Sequence, residues 1–164
     1  MIVKYRRYRE GKTNYRKRLA LVKSGLPRLV IRRHHNSIVA QAVNYDPKGD
    51  KVLTGFVSTA LKKYGWDVHT GNLPSAYLTG YMLGLRAKKK GIKKMVLDLG
   101  LQRVTKGSAL FACLKGVLDA GIDVPHGEHM LPDENRLYGG HISEEIKSKI
   151  DNIKSKVGKD GLDS

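Results

Sequence analysis

Twelve cations, Lys4, Arg6, Arg7, Arg9, Lys12, Arg16, Lys17, Arg18, Lys23, Arg28, Arg32 and Arg33, crowd the first 33 residues against a single acid, Glu10. The chemistry open to such a run is recognition of a polyanion. An arginine fork meets phosphate oxygens in pairs and its plane stacks on flat rings, which a compact ammonium cannot do. Tyr5, Tyr8 and Tyr15 stand among the cations and offer faces on which unpaired bases stack. An acidic protein surface would leave those rings unused. A charge run is often no more than a solvated face, but solubility calls for neither arginine in particular nor interleaved tyrosine. The pattern therefore points to nucleic acid, and to RNA first.

Other residues suit catalysis or metal binding less well. Asp98 sits where a strand is expected to end, and Asp46, Asp50 and Asp119 are its possible companions in a metal-dependent nuclease. Asp46 and Asp50 flank Pro47-Lys48-Gly49, a turn sequence in which short polar side chains are expected anyway. Two-metal chemistry needs several converging carboxylates, and the basic part of the chain has few. No catalytic residue is assigned, and no enzyme is expected. His126-Gly127-Glu128-His129 has the look of a metal pair, yet Pro125 and Gly127 oppose the regular helix that would align both rings. No metal and no cofactor are expected. The loop Gly100 to Ser108 follows a strand and opens a helix but lacks the Gly-Lys-Ser/Thr order of a nucleotide loop. Gly107 and Ser108 still have the right place to offer free backbone N–H groups to an RNA phosphate; a tight turn capped by Ser108 is the alternative.

The chain as a whole agrees with a nucleic-acid partner. Its 164 residues have a net charge of +16 and a pI near 10.0. Residues 1–122 hold 25 Lys and Arg against 6 Asp and Glu, a net +19, whereas residues 123–164 hold 6 against 9, a net -3. A 40% hydrophobic fraction at this length suits one core. With Cys113 as the only cysteine, neither a disulfide framework nor a cysteine zinc site can form within the chain, which suits a reducing compartment. No stretch approaches the ~18 apolar residues needed to span a bilayer, so a cytoplasmic protein is expected.

Periodicity suggests how these residues are positioned. Residues 1–12 have no apolar period and read as a flexible basic arm that orders on its ligand. Thr13 is a plausible cap for a short helix with Tyr15, Leu19 and Val22 on one side, ended by Ser24-Gly25. Arg28–Arg33 alternates, with Leu29 and Ile31 on one face and Arg28, Val30 and Arg32 on the other, so a strand is predicted whose cations reach outward. Further strands are predicted over Ile38–Tyr45 and Lys51–Val57, completing an antiparallel meander. Residues 58–71 read as a short helix or an irregular crossing anchored by Leu61, Tyr64 and Trp66. A helix follows, capped by Asn72 or Ser75, with Ala76, Tyr77, Gly80, Leu83, Gly84 and Ala87 in one stripe. Met95–Leu99 is a short buried strand reached by a crossover. A helix from Ser108 to Gly121 and a final one after Ser143, striped by Ile146, Ile150, Ile153 and Val157, complete the chain. The fold class is α/β, a mixed sheet of antiparallel meander plus parallel crossover strand with packed helices. Three regions are expected: the arm 1–12, a globular domain 13–125 and a loop and helical extension 126–164.

Six segments, in order, carry a resemblance: Thr13 to Leu19 (TNYRKRL), Ser24 to Val30 (SGLPRLV), Thr70 to Gly80 (TGNLPSAYLTG), Asp98 to Leu101 (DLGL), Thr105 to Ser108 (TKGS) and Leu118 to Gly127 (LDAGIDVPHG). Over about residues 4–142 the chain resembles the archaeal branch of the large-subunit ribosomal protein family L-eighteen. Each segment is weak alone and specific in combination. Residues 143–164 match no pattern of that family and read as lineage-specific. The resemblance implies an outline like ribonuclease H without its activity. It also implies a structural role in the large ribosomal subunit: binding 5S rRNA and attaching it to 23S rRNA in the central protuberance, beside neighbouring proteins that include the other 5S-binding protein. RNA contacts are then expected from Lys4, Tyr5, Arg6, Arg7, Tyr8, Arg9 and Lys12 in the arm and from Thr13, Tyr15, Arg16 and Arg18 in the first helix. Arg28, Arg32 and Arg33 on the first strand, Asn72, and Thr105, Lys106, Gly107 and Ser108 complete the candidate set. A general RNA-binding or chaperone-like role is the alternative.

Overall fold

Strand order β3-β2-β1-β4 defines a four-stranded mixed sheet in a computed structural model that describes residues 3–140 and 142–160. The meander is β1 (Arg28–Arg33), β2 (Ile38–Asn44) and β3 (Lys51–Val57), antiparallel in sequence order. β4 (Val96–Asp98) lies on the other side of β1 and runs parallel to it. It is shorter than the predicted Met95–Leu99, because Met95 N–H is drawn instead to Asp123 O at 3.0 Å. A register shift between Ala42 and Val43 bends the β2–β3 pair.

Two helices cover one face of this sheet. α3 (Leu73–Lys89) starts at Asn72, whose side chain accepts from Ser75 N–H at 3.0 Å, with Pro74 in the first turn. α4 (Ala109–Asp119) follows β4. The predicted α3 stripe faces α4 and the sheet, and Gly80 and Gly116 are where the two helices meet. A Cβ at Gly80 would lie 1.8 Å from Cys113 O, and one at Gly116 would lie 2.1 Å from Tyr77 O. The two helices are in backbone contact there, which only glycine allows. Leu29, Ile31, Ile38, Ala40, Ala42 and Phe56 of the strands complete the core with Tyr77, Leu78, Met82, Leu114 and Val117 of the helices. Residues 58–71 resolve into a 3-10 helix at Ser58–Tyr64 followed by a loop, with Leu61 and Trp66 buried as anchors.

The C-terminal segment is built into the same core. α6 (Glu144–Asp160) buries Ile146, Ile150, Ile153 and Val157, the predicted stripe, in the apolar cluster that contains α3 and the sheet. Each such burial is worth roughly 1.5–3 kcal/mol relative to exposure. The stripe's partner is therefore this domain itself. Polar ties assist: Lys149 Nζ donates to both Asp67 oxygens at 2.9 Å. The Lys154 ammonium rests over the rings of Tyr77, Tyr81 and Tyr138 at 4.6, 5.5 and 5.2 Å. A short helix, α5 (Glu134–Leu137), delivers Leu137 and Tyr138 to this cluster.

The N-terminal segment is built differently. α1 (Arg6–Arg9) is a single turn within the stretch read as an unstructured arm, where Glu10 pairs with Arg6 at 2.8 Å and Lys12 at 2.9 Å. α2 (Tyr15–Val22) is capped by Asn14, which accepts from Lys17 N–H at 3.1 Å; Thr13, the predicted cap, instead accepts from Arg7 Nε. No residue of α1 or α2 is buried. Met1 and Ile2, part of the predicted arm, lie outside the described residues.

Candidate nucleic-acid interface

Strand alternation turns Arg28, Val30 and Arg32 to the sheet face that α3 and α4 do not cover. Register places Asp98 on β4 opposite Val30, and the turn after β2 brings Asp50 to the same face. The outcome is a chain of alternating charge. Arg18 of α2 donates to Asp50 Oδ1 at 2.9 Å, and Arg28 donates to Asp50 Oδ2 at 2.6 Å and to Asp98 Oδ2 at 2.8 Å. Arg32 donates to Asp98 Oδ1 at 3.1 Å and, through Nη1, to the carbonyls of Asp98 and Ile31 at 2.7 and 2.8 Å.

These contacts separate roles that the alternation pattern had merged. Arg28, expected to reach outward, is only 5% exposed, because two carboxylates hold its guanidinium against the sheet. It organises the face instead of projecting from it. Arg32 remains partly open, with a side chain 35% exposed, and its plane is locked by three hydrogen bonds. Gly100 makes that possible: its φ of +63° turns the chain back, and a Cβ there would lie 3.0 Å from the Arg32 guanidinium. Arg33 is exposed at the strand end.

Between α2 and this face lies a cavity of about 930 Å³. Arg7, Lys12, Lys17 and Arg18 edge it from the N-terminal segment, and Arg28 and Arg32 from the sheet. Of the other candidates, Lys4, Tyr5, Arg6, Tyr8, Arg9 and Arg16 are exposed, so the N-terminal segment presents most of its cations to solvent. Tyr5 packs against Tyr15 with ring centres 5.1 Å apart, and the Lys4 ammonium sits 4.7 Å over Tyr8. These rings are held near the cations without being buried among apolar neighbours.

The remaining candidates are placed elsewhere. Asn72 is half-buried and its side-chain oxygen is used in capping α3. Thr105 and Lys106 are exposed in the β4–α4 loop. The backbone N–H groups of Gly107 and Ser108, expected to be free for an anion, donate to Met130 O at 3.1 Å and Thr105 O at 3.3 Å. The loop closes on the segment at 128–130 and consumes those donors itself. Ser108 stands at the N-cap position of α4 without making a side-chain cap, and its buried Oγ finds no partner among the described residues.

The carboxylates considered for catalysis are all engaged by other groups: Asp46 with Lys51 at 2.9 Å, Asp119 with the Tyr77 hydroxyl at 2.8 Å, and Asp50 and Asp98 with the arginines. The backbone N–H of Lys48, with the Lys51 ammonium, holds Asp46 below the usual carboxylate range. Among the described residues no group of three or more His, Cys, Asp or Glu side chains could hold a metal ion, and no helix is long and apolar enough to cross a membrane. What the sequence reading missed is the positioning role of Asp50 and Asp98. The available signal was parity, since both Arg28 and Arg32 share a face that needs a counter-charge to be buried.

Comparison with known proteins bears directly on this basic face. Residues 1–95 and 86–127 match the family model for ribosomal large subunit proteins 60S L5 and 50S L18. The large ribosomal subunit protein uL18 of Methanococcus maripaludis is 51% identical over 160 residues, covering 96% of this chain and 83% of that protein. The large ribosomal subunit protein uL18 of Korarchaeum cryptofilum is 55% identical over 141 residues, covering 86% of this chain and 72% of its own length. The Methanococcus match leaves out too little of the chain to omit the α6 segment, whereas the family model ends at residue 127. A charged face on a mixed α/β sheet is thus found in a chain that belongs to the uL18 family of large-subunit ribosomal proteins, structural and not enzymatic.

Proposed function

We propose that this chain binds 5S rRNA and holds it against 23S rRNA in the large ribosomal subunit, with neighbouring subunit proteins, the other 5S-binding protein among them, packed alongside. The observation that carries this reading is the division of charge by position. Cations interleaved with tyrosines crowd an N-terminal segment and further arginines lie on the sheet face beside it, while the opposite sheet face is closed by helices. A polyanion with a defined shape suits such a surface: many phosphates are neutralised while Arg32 and the strand frame fix orientation. A-form helices hide their base edges in a deep groove, so selectivity would come from phosphate geometry, 2′-hydroxyls and unpaired bases.

The test is a titration of the purified protein against folded 5S rRNA with transfer RNA as competitor, at about 150 mM salt, where loose electrostatic binding is suppressed. Tight, competitor-resistant binding is expected. Equal affinity for both RNAs would reduce the reading to a general RNA binder. Replacing Arg6, Arg7 and Arg9 together by alanine is expected to weaken 5S binding and flatten its salt dependence by up to about three phosphate contacts' worth of slope. An unchanged slope would remove the segment from the interface.

A further inference from the structure

Exposed apolar side chains are normally scattered, and here they converge. Val52 of β3 is 54% exposed, and Leu101 and Val104 of the β4–α4 loop are 55% and 57% exposed. All three border the cavity under α2, together with Leu21 of α2, Val30 of β1 and Val43 of β2. Five separate segments thus supply apolar walls to one concave site, the arrangement by which a ligand pocket is distinguished from incidental surface. At about 930 Å³ it lies near the upper end of the ~300–1,000 Å³ typical of small-ligand sites.

The polar groups around it select the occupant. Six cations border the cavity against two carboxylates, Asp50 and Asp98, and both carboxylates are already taken by arginines. Arg7 and Lys17 meet no carboxylate among the described residues, so an incoming anion would find an excess of positive charge at the rim. Arg32 contributes a flat, immobilised and partly exposed guanidinium suited to stacking on a ring. Two bordering residues also hold buried hydrogen-bonding atoms that find no partner among the described residues, a donor at Arg28 Nε and an acceptor at Gln102 Oε1. Such groups are costly to leave unmet. A flat apolar body with donors and acceptors at its edge and a negative charge attached is the description of a nucleotide.

We propose that the groove between α2 and the open sheet face is a pocket for an unpaired nucleotide of the bound RNA, its base entering between Val30, Val52 and Leu101 and its phosphates meeting the rim cations. The proposal rests on the RNA-binding reading and adds a subsite to it. A paired base cannot enter, because a duplex keeps its ring faces stacked. α2 is the movable wall. None of its residues is buried, and the Arg18–Asp50 pair that ties it to the body is partly solvent-exposed, at 36% and 24%, so parting it costs little.

Methyl-labelled full-length protein, titrated with a single-stranded RNA of about six nucleotides and separately with a blunt duplex of the same composition, tests this directly. The single strand is expected to shift the methyl resonances of Val30, Val52, Leu101 and Val104, and the duplex to leave them unmoved. Val52→Trp and Val30→Phe, which fill the groove from two different strands without removing a cation, are each expected to weaken single-strand affinity about tenfold and duplex affinity less than twofold. Circular dichroism and urea unfolding select the variant that folds. The pocket is overturned if the methyls ignore the single strand, if filling the groove leaves single-strand affinity unchanged, or if the methyls shift with protein concentration alone, the sign of a second copy covering the face. Selective 5S binding with unmoved methyls would sink the pocket only; responsive methyls without 5S selectivity would sink the 5S reading only.

Discussion

The two faces of the sheet are stabilised by different physics. On the closed face, α3 and α4 approach until Gly80 and Gly116 meet the opposing backbone, and Leu29, Ile31, Ala40 and Phe56 fill the remaining space. Shape complementarity in a dry core decides stability there. On the open face, Arg18, Asp50, Arg28, Asp98 and Arg32 form a charge ladder beside a cavity, and no residue of the covering helix α2 is buried. Geometry is fixed on that side by paired charges, while apolar surface is left available. Dry packing and exposed charge are thereby kept on opposite sides of one sheet.

Substitutions on the two faces should therefore fail in different ways. The largest effect is expected for Gly116→Val, whose Cβ would lie 2.1 Å from Tyr77 O; the loss should exceed ~5 kcal/mol and abolish the cooperative urea transition. A folded Gly116→Val protein would break the claim that the closed face is set by contact distance. Asp98→Ala comes next. It leaves Arg28 buried with one carboxylate where it had two, and the urea transition should show about 3–5 kcal/mol lost. A loss below about 1 kcal/mol would mean that the ladder does not hold the open face.

A third comparison uses pH. Burial alone pushes the Cys113 thiol, in the closed-face core, from 9.0 up to about 12. With the folded value raised, its contribution is fully present below pH 9 and is lost as pH rises through 12, because the unfolded thiol ionises first. The urea midpoint of the parent protein should consequently fall more steeply than that of Cys113→Ala between those values. The smallest effect on stability is expected on the open side. The Arg6, Arg7 and Arg9 triple alanine variant should keep its urea midpoint within about 0.5 kcal/mol, even as its RNA salt dependence flattens. A large stability loss would contradict the division between the faces.

Much of the scaffold was legible in residue patterns, and for local reasons. Period-2 alternation marked β1, Pro47-Lys48-Gly49 marked the turn before β3, Asn72-Leu73-Pro74 marked the start of α3, and the isoleucine stripe marked α6. Each signal spans a few residues and depends on steric preference or one capping bond. The site was legible in composition and less so in role. Arg28 and Arg32 look alike along the strand, but Asp50 and Asp98 arrive from 22 and 70 residues away to bury the first and lock the second. Gly107 and Ser108 looked available for an anion until Met130, more than 20 residues on, took the Gly107 N–H.

The sequence by itself determined the basic character of the surface, the main strands and helices, and which side of β1 carries cations. Charge composition and short-range periodicity are properties of the unfolded chain as much as of the folded one. Only the tertiary structure decided which arginines stay open to solvent and which are buried as braces, where apolar side chains from five segments gather into a groove, and that α6 belongs to this core. Those outcomes depend on long-range pairing and desolvation, which no local pattern encodes.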